Sequence, residues 1–256
     1  IRDPLWSRGL GDVYKRQYSM WLVILYGATV ALAIRYLLMP EMSEPGPILY
    51  LIPLLLCATI IPIHKIVIPS KYSDLYTNGN WFRAIFLFIF TWLAFSFIVS
   101  NPPLADIAPP TLAGGIDVEE NDAIEDVSWK NGVYTIDMNQ DTVDVILGMA
   151  VRDNVDADSV EINAVIYYRG DVMQELANGT AISHVEEIEM FDSISNWTRG
   201  KSVAPHNSDV GLAWDLGTLG PGEYTIEITM TEDGSPWENT TELTYTISIA
   251  QTTVLD

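Results

Sequence analysis

The sequence predicts a membrane-anchored protein in which three transmembrane α-helices are followed by an all-β antiparallel sandwich. Three observations predict it. Up to Ser100 the chain is dominated by long apolar runs, of which Trp81 to Ser100 carries no charge after Arg83. At 1.5 Å of rise per residue, about 18 to 20 such residues cover the ~30 Å hydrocarbon core of a bilayer. Beyond Asn101 the chain turns polar, acidic and alternating, with the two-residue period of half-buried strands. The single cysteine, Cys57, lies in an apolar run, so no disulfide is expected to hold the β part and its hydrophobic core must suffice.

Residues 1–17 stand apart. Asp12-Val13-Tyr14-Lys15-Arg16-Gln17 resembles the translation of a transposon-end adapter used in sequencing libraries, GAT GTG TAT AAG AGA CAG. Ile1 to Gly11 reads as more of the same, so the segment is set aside from fold reasoning. The expectation is a native chain truncated upstream of about Tyr18, with room for further membrane helices ahead of it.

The membrane region is expected to span residues 18–100, with helices at about 20–39, 48–68 and 82–100. Arg35 interrupts the first span about one turn from its end, where a long side chain can snorkel to the interface. Pro53 and Pro62 lie inside the second span and are expected to kink it, because proline removes a backbone donor. Orientation follows from the retention of Lys and Arg on the cytoplasmic side. The loop from His64 to Arg83 holds Lys65, Lys71 and Arg83, whereas Pro40 to Pro47 holds neither residue type. Lys65, Trp81 and Arg83 are therefore expected membrane anchors, as is the snorkelling Arg35, the one charge that dissents from this orientation. The third helix is expected to deliver the C-terminal half outside the cell. His64, at a helix end, is read as an interfacial residue.

Asn101 to Asp126 has two proline pairs, Gly114-Gly115 and a run of Asp and Glu, and is expected to be a spacer. Beyond it, strands are expected at Val133 to Met138, Thr142 to Val151, Ser159 to Tyr168, Ile182 to Met190, Gly211 to Leu216, Glu223 to Thr231 and Glu242 to Ala250. Turn residues separate several of them: Asn131-Gly132, Asp153-Asn154, Arg169-Gly170-Asp171, Pro221-Gly222 and Asp233-Gly234. A run of about seven short strands with no helix between them argues for a sandwich over residues 127–250, leaving 251–256 as a tail.

Within that region Leu219-Gly220-Pro221-Gly222-Glu223-Tyr224 resembles the tyrosine corner of immunoglobulin-like and fibronectin type III domains. The resemblance implies that the Tyr224 hydroxyl bonds back to the preceding corner, with Leu219 and Gly222 as structural residues. Val151 to Val160, running on to Tyr167-Tyr168-Arg169, is similar to the B to C turn of microbial surface modules of this kind, and Thr225 to Ile249 to their F to G hairpin. The fold hosts many roles, so the resemblance implies no activity.

The net charge of −21 is unevenly placed. From Pro102 onward 29 Asp or Glu stand against 5 Lys or Arg, which leaves −24 on this half. Such a surface repels nucleic acid and anionic headgroups, and suits high salt, a cation-rich surface or a basic partner. Asp153, Asp156, Asp158 and Glu161 are bunched in one turn and form a candidate Ca²⁺ site, although the spacing lacks the glycine of a calcium-binding loop. His184 with Glu186, Glu187 and Glu189 is a weaker metal candidate, since strand alternation would split the set between two faces. No Gly-x-Ser-x-Gly, His-Glu-x-x-His or phosphate-binding glycine loop occurs, so no catalysis and no other cofactor is expected.

Sequons at Asn178, Asn196 and Asn239 are candidate glycan acceptors. Acidity, sequons and the lack of disulfides point to an archaeal cell surface, and the same features allow a bacterial one without glycans. The expected partners are the lipid bilayer, an extracellular protein or polysaccharide, and other membrane subunits. Two roles follow: a surface binding or adhesion module on a membrane anchor, or an accessory subunit of a larger membrane complex or transporter, capped by the β-domain.

Overall fold

The computed structural model describes residues 5–74, 76–200, 206 and 208–251, with the side chains of residues 5–16 and 71 outside the description. The chain divides into two compact units. One comprises residues 1–107 together with Ser235–Trp237, and the other residues 108–234 and 238–256.

The first unit is helical. Helix α1 (Leu5–Ala33) passes into a π-helical turn at Ile34–Leu38 and a 3₁₀ turn at Met39–Glu41. Helices α2 (Ile48–Leu56) and α3 (Ile60–Val67) are joined by a 3₁₀ turn at Cys57–Thr59; a short α4 (Ser70–Ser73) precedes α5 (Asn78–Val99). Gln17–Glu41, Ile48–Val67 and Asn78–Val99 are each long and apolar enough to cross a membrane, as expected. The irregularity in the second of them falls where proline chemistry requires it. Pro62 has no N–H to offer the carbonyl of Ala58, and its ring crowds that turn, so the backbone tightens to 3₁₀ at Cys57–Thr59.

The spans alternate in direction. Ser19 Oγ and His64 Nε2 are 2.9 Å apart at one end, and at the other Arg35 Nε donates to the Val99 carbonyl at 3.2 Å. Helix α1 approaches α5 closely at Gly27, where an added Cβ would lie 3.1 Å from Phe88 O, Thr91 Cβ and Trp92 N. The core between the spans is formed by Val23, Val30, Ile34, Ile60, Phe88 and Trp92, with Trp237.

The second unit is built from two sheets. Its strands are β1 (Thr111–Val118), β2 (Ile124–Lys130), β3 (Val133–Met138), β4 (Val143–Arg152), β5 (Glu161–Tyr168), β6 (Asp171–Thr180), β7 (Val210–Leu219), β8 (Gly222–Glu232) and β9 (Asn239–Gln251). One sheet has the order β1-β4-β7, the other β2-β3-β9-β8-β5-β6. All pairings are antiparallel except β3 with β9, which run parallel. Residues from both sheets join one apolar cluster, including Leu147 and Met149 of β4, Leu212 of β7, Ile166 of β5, Ile226 of β8 and Ile247 of β9. Two sheets sharing one core are compatible with a β-sandwich.

Several expectations need correcting. Residues 101–126, read as a spacer, contain β1 and the start of β2. Gly114 and Gly115, at φ +78° and +85°, form a bulge where the pairing of β1 with β4 shifts register between Leu112 and Ile116. That bulge broke the alternation which would have revealed the strand. Gly115 also lets Trp129 approach, since a Cβ there would lie 2.7 Å from the indole.

Ile182 to Met190, read as a strand, is a 3₁₀ turn at Ala181–Ser183 followed by helix α6 (Val185–Ser193). Val185, Ile188 and Phe191 recur every three residues, and Glu186 and Glu187 favour the positive end of the helix dipole. Strand β6 was not expected. It is an edge strand with two register shifts against β5, and its polar residues mask the period. The turns Asn131-Gly132 and Arg169-Gly170 have positive φ at both central residues, the mirror-image geometry that hairpin twist favours.

Candidate functional site

Within the helical unit, a cleft of about 230 Å³ opens between the end of α1, the start of α2 and the end of α5. Ala31, Ile34, Met39, Leu49, Leu93 and Val99 line it together with Arg35, Tyr50, Trp92, Ser96 and Ser100, and its accessible wall is almost wholly apolar. Arg35 is 6% exposed, so it does not snorkel; this corrects the expectation. It sits in the π-helical turn, and its Nε donates to Val99 O while Nη2 donates to Leu104 O at 3.4 Å and Ser235 Oγ at 2.9 Å. The Val99 carbonyl, at the negative end of α5, satisfies part of its hydrogen-bonding capacity. No carboxylate pairs with it among the described residues. Trp92 is 7% exposed, and its Nε1 has no acceptor among those residues.

The other predicted anchors lie at the opposite end of the spans. Lys65 and Arg83 are exposed, as interfacial charges should be. Trp81 is half-buried, its ring 5.5 Å from that of His64 and 4.8 Å from that of Tyr76. His64 is buried, with Nδ1 2.8 Å from Ile60 O, so it belongs to the packing of the helix ends rather than to the interface. Lys71's side chain falls outside the described residues.

In the β unit the four carboxylates proposed for calcium do not converge. Asp153 Oδ2 accepts from Val155 N at 2.6 Å and Asp156 N at 2.9 Å, and Asp156 Oδ1 accepts from Asp158 N at 3.2 Å. These are local turn bonds, and Asp158 and Glu161 are exposed. Burial raises the Asp153 pKa, but bonding with Glu232 and to the N–H groups of Val155, Asp156 and Asn154 outweighs it, leaving the carboxyl below its ordinary range. His184 Nδ1 lies 3.8 Å from Glu187 Oε2, one helical turn away, instead of on a strand.

The sequons differ in setting. Asn178 is exposed on the edge strand β6. Asn196 is exposed but its Nδ2 donates to Glu120 O at 2.9 Å. Asn239 is 4% exposed and its Nδ2 donates to Glu232 Oε1 at 2.8 Å, which leaves no room for a glycan in the folded unit. The Tyr224 hydroxyl donates to Gly220 O at 3.0 Å, the bond that its resemblance implied. Leu219 is buried, and Gly222 lies under Tyr168, whose ring a Cβ would meet at 2.9 Å.

One polar cluster escaped the sequence reading. Asp117 has no solvent exposure, and its carboxylate accepts from Val118 N, from the Tyr134 hydroxyl at 3.0 Å, from Thr198 Oγ1 at 2.6 Å and from Arg199 N. Tyr134 and Thr198 also touch through their hydroxyls. Burial pushes the Tyr134 phenol far above its ordinary pKa; Thr198 lowers it and the Asp117 charge raises it further. Arg199 lies over the Trp129 ring at 4.6 Å and donates to Gly114 O and Ile116 O. The cluster fastens the segment after α6 to β1, a structural task.

No protein-family model matches the chain, and no curated protein sequence matches it significantly.

Proposed function

We propose that this chain is a multi-pass membrane protein that displays an acidic immunoglobulin-like domain outside the cell, for binding or adhesion and without catalysis. The observation that carries this reading is the joining, in one chain, of three membrane-length apolar helices to a β-rich unit with two sheets and one core. The order β1-β4-β7 beside β9-β8-β5-β6 matches the ABE and GFCC′ strands of that family, with the β2–β3 hairpin added at one edge. The bond from Tyr224 to Gly220 supports the same assignment. Lys65 and Arg83 at one end of the spans support an outward-facing β unit. Its excess of carboxylates suits a basic protein or a cation-bridged polysaccharide as partner.

The test compares cells carrying the full chain with cells carrying a chain ended at Ile107. Loss of attachment to neighbouring cells or to a surface polymer in the shortened form supports adhesion, and equal attachment removes it.

A second reading, an accessory subunit of a membrane complex, draws on the surface of α5. Phe82, Phe86 and Phe90 stack along one exposed face with centroids 6.3 and 5.3 Å apart, a stripe that fits another helix as well as lipid. A second membrane protein co-purifying in stoichiometric amount with the detergent-solubilised chain would favour that role.

A further inference from the structure

We propose that the cleft at Arg35 holds one molecule of an anionic phospholipid, with an acyl chain between α1, α2 and α5 and the phosphate on the Arg35 guanidinium. The inference rests on reading the three apolar helices as membrane spans.

Charge is the first argument. Arg35 is buried among apolar side chains at a helix end, and its hydrogen-bond partners among the described residues are two carbonyls and one hydroxyl, all neutral. A buried guanidinium is ordinarily matched by an anion, and its planar fork of five donors suits a phosphate. The three bonds leave part of that fork free to take one.

The second argument is the indole of Trp92. Trp92 lines the same cleft with an Nε1–H that has no acceptor among the described residues. Buried indole N–H groups normally find a partner. Trp92 lies seven residues before Val99 on α5, about 10 Å along the axis at 1.5 Å per residue. A lipid whose phosphate sits at Arg35 extends past that depth, and its glycerol-level oxygens are the nearest acceptors that it brings.

Size excludes a partner helix. A helix is ~10 Å across and needs far more than the 230 Å³ on offer, whereas a stretch of a single alkyl chain fits. The π-helical turn at Ile34–Leu38 carries Arg35 into the lining of the cleft, and such turns recur at functional sites.

The test uses the full chain purified in a neutral detergent, titrated with phosphatidylglycerol, with phosphatidylcholine or with inorganic phosphate, and read by native mass spectrometry and thermal unfolding. The expected result is one retained phosphatidylglycerol, with Tm rising with its concentration and little response to phosphatidylcholine or phosphate. Trp92→Phe keeps the ring and removes the donor, and Arg35→Lys keeps the charge but not the fork; each should weaken retention roughly tenfold. Leu55→Ala, an exposed apolar position outside the cleft, should leave it unchanged.

Equal retention of both lipids, an undiminished adduct in Trp92→Phe, or the same Tm shift from inorganic phosphate would each overturn the proposal. Phase partitioning in Triton X-114 separates this failure from failure of the span reading. A chain that enters the detergent phase but binds no lipid refutes the site alone, whereas one that stays in the aqueous phase refutes the spans.

Discussion

Asp117 shows what a single carboxylate does when the fold takes it out of water. Four donors converge on it, so removing it takes an acceptor from two hydroxyls and two backbone amides. Asp117→Ala is expected to cost about 3 kcal/mol, measured as a fall in the denaturation midpoint at unchanged slope. Asp209 offers a pH handle. Its side chain is buried and bonds Arg152 bidentately, with Oδ2 2.7 Å from Nη2. Burial alone would raise its pKa, but the Arg152 bonds and the His206 N–H bring it below the ordinary carboxylate value. A carboxyl whose folded pKa is depressed adds stability above its unfolded pKa of about 3.9 and loses it as pH falls through the folded value. Unfolding measured against pH should therefore steepen below about pH 4 in the wild type. Asp209→Asn should be less stable at pH 7 and flatter in that acid window. The sequons give a third test: in a glycosylating host, peptide mapping should find a glycan on Asn178 and none on Asn239, whose amide is bonded inside the fold. None of these distinctions was legible in the sequence. Asp117 stands in the acidic run from Asp117 to Glu120, and charge alone does not say which carboxylate turns inward.

At the scale of elements, residue type told most where one period ran unbroken. Strand β3 was legible from end to end, and β4, β5, β7, β8 and β9 to within three residues at each end, because Val, Ile and Thr alternate there with polar residues. Strand β1 was hidden by a glycine bulge, β6 by its polar edge, and α6 by a mixture of charge and apolar residues too short to show a clear helical period. The position of α6 has its own cause. Gly148, Ala150, Gly211 and Ala213 lie together on the face of the three-stranded sheet opposite the shared core, through the pairs Gly148↔Ala213 and Ala150↔Gly211. Phe191 and Trp197, with rings 5.0 Å apart, settle onto those small residues. A Cβ at Gly148 would lie 2.2 Å from the Trp197 ring, and one at Gly211 2.3 Å from that of Phe191. Gly148→Ala is expected to destabilise by about 1–3 kcal/mol, with faster hydrogen exchange across residues 185–199.

For the whole molecule, the division between apolar helices and a β-rich unit was legible because each obeys a different solvent. Lipid demands internally bonded helices of about 20 apolar residues, and water allows one wet face on a sheet. The cleft at Arg35 was legible only in part. Arg35 stood out as a charge in an apolar span, but its partners Val99, Leu104 and Ser235 lie 64, 69 and 200 residues away. The central claim is that the acidic β unit faces away from the cytosol on a three-span anchor. It is tested most directly by placing a cysteine at the exposed Asn178 in a chain whose Cys57 is replaced by alanine, then treating intact cells with a membrane-impermeant maleimide. The account predicts labelling of intact cells; labelling confined to inverted vesicles would contradict it.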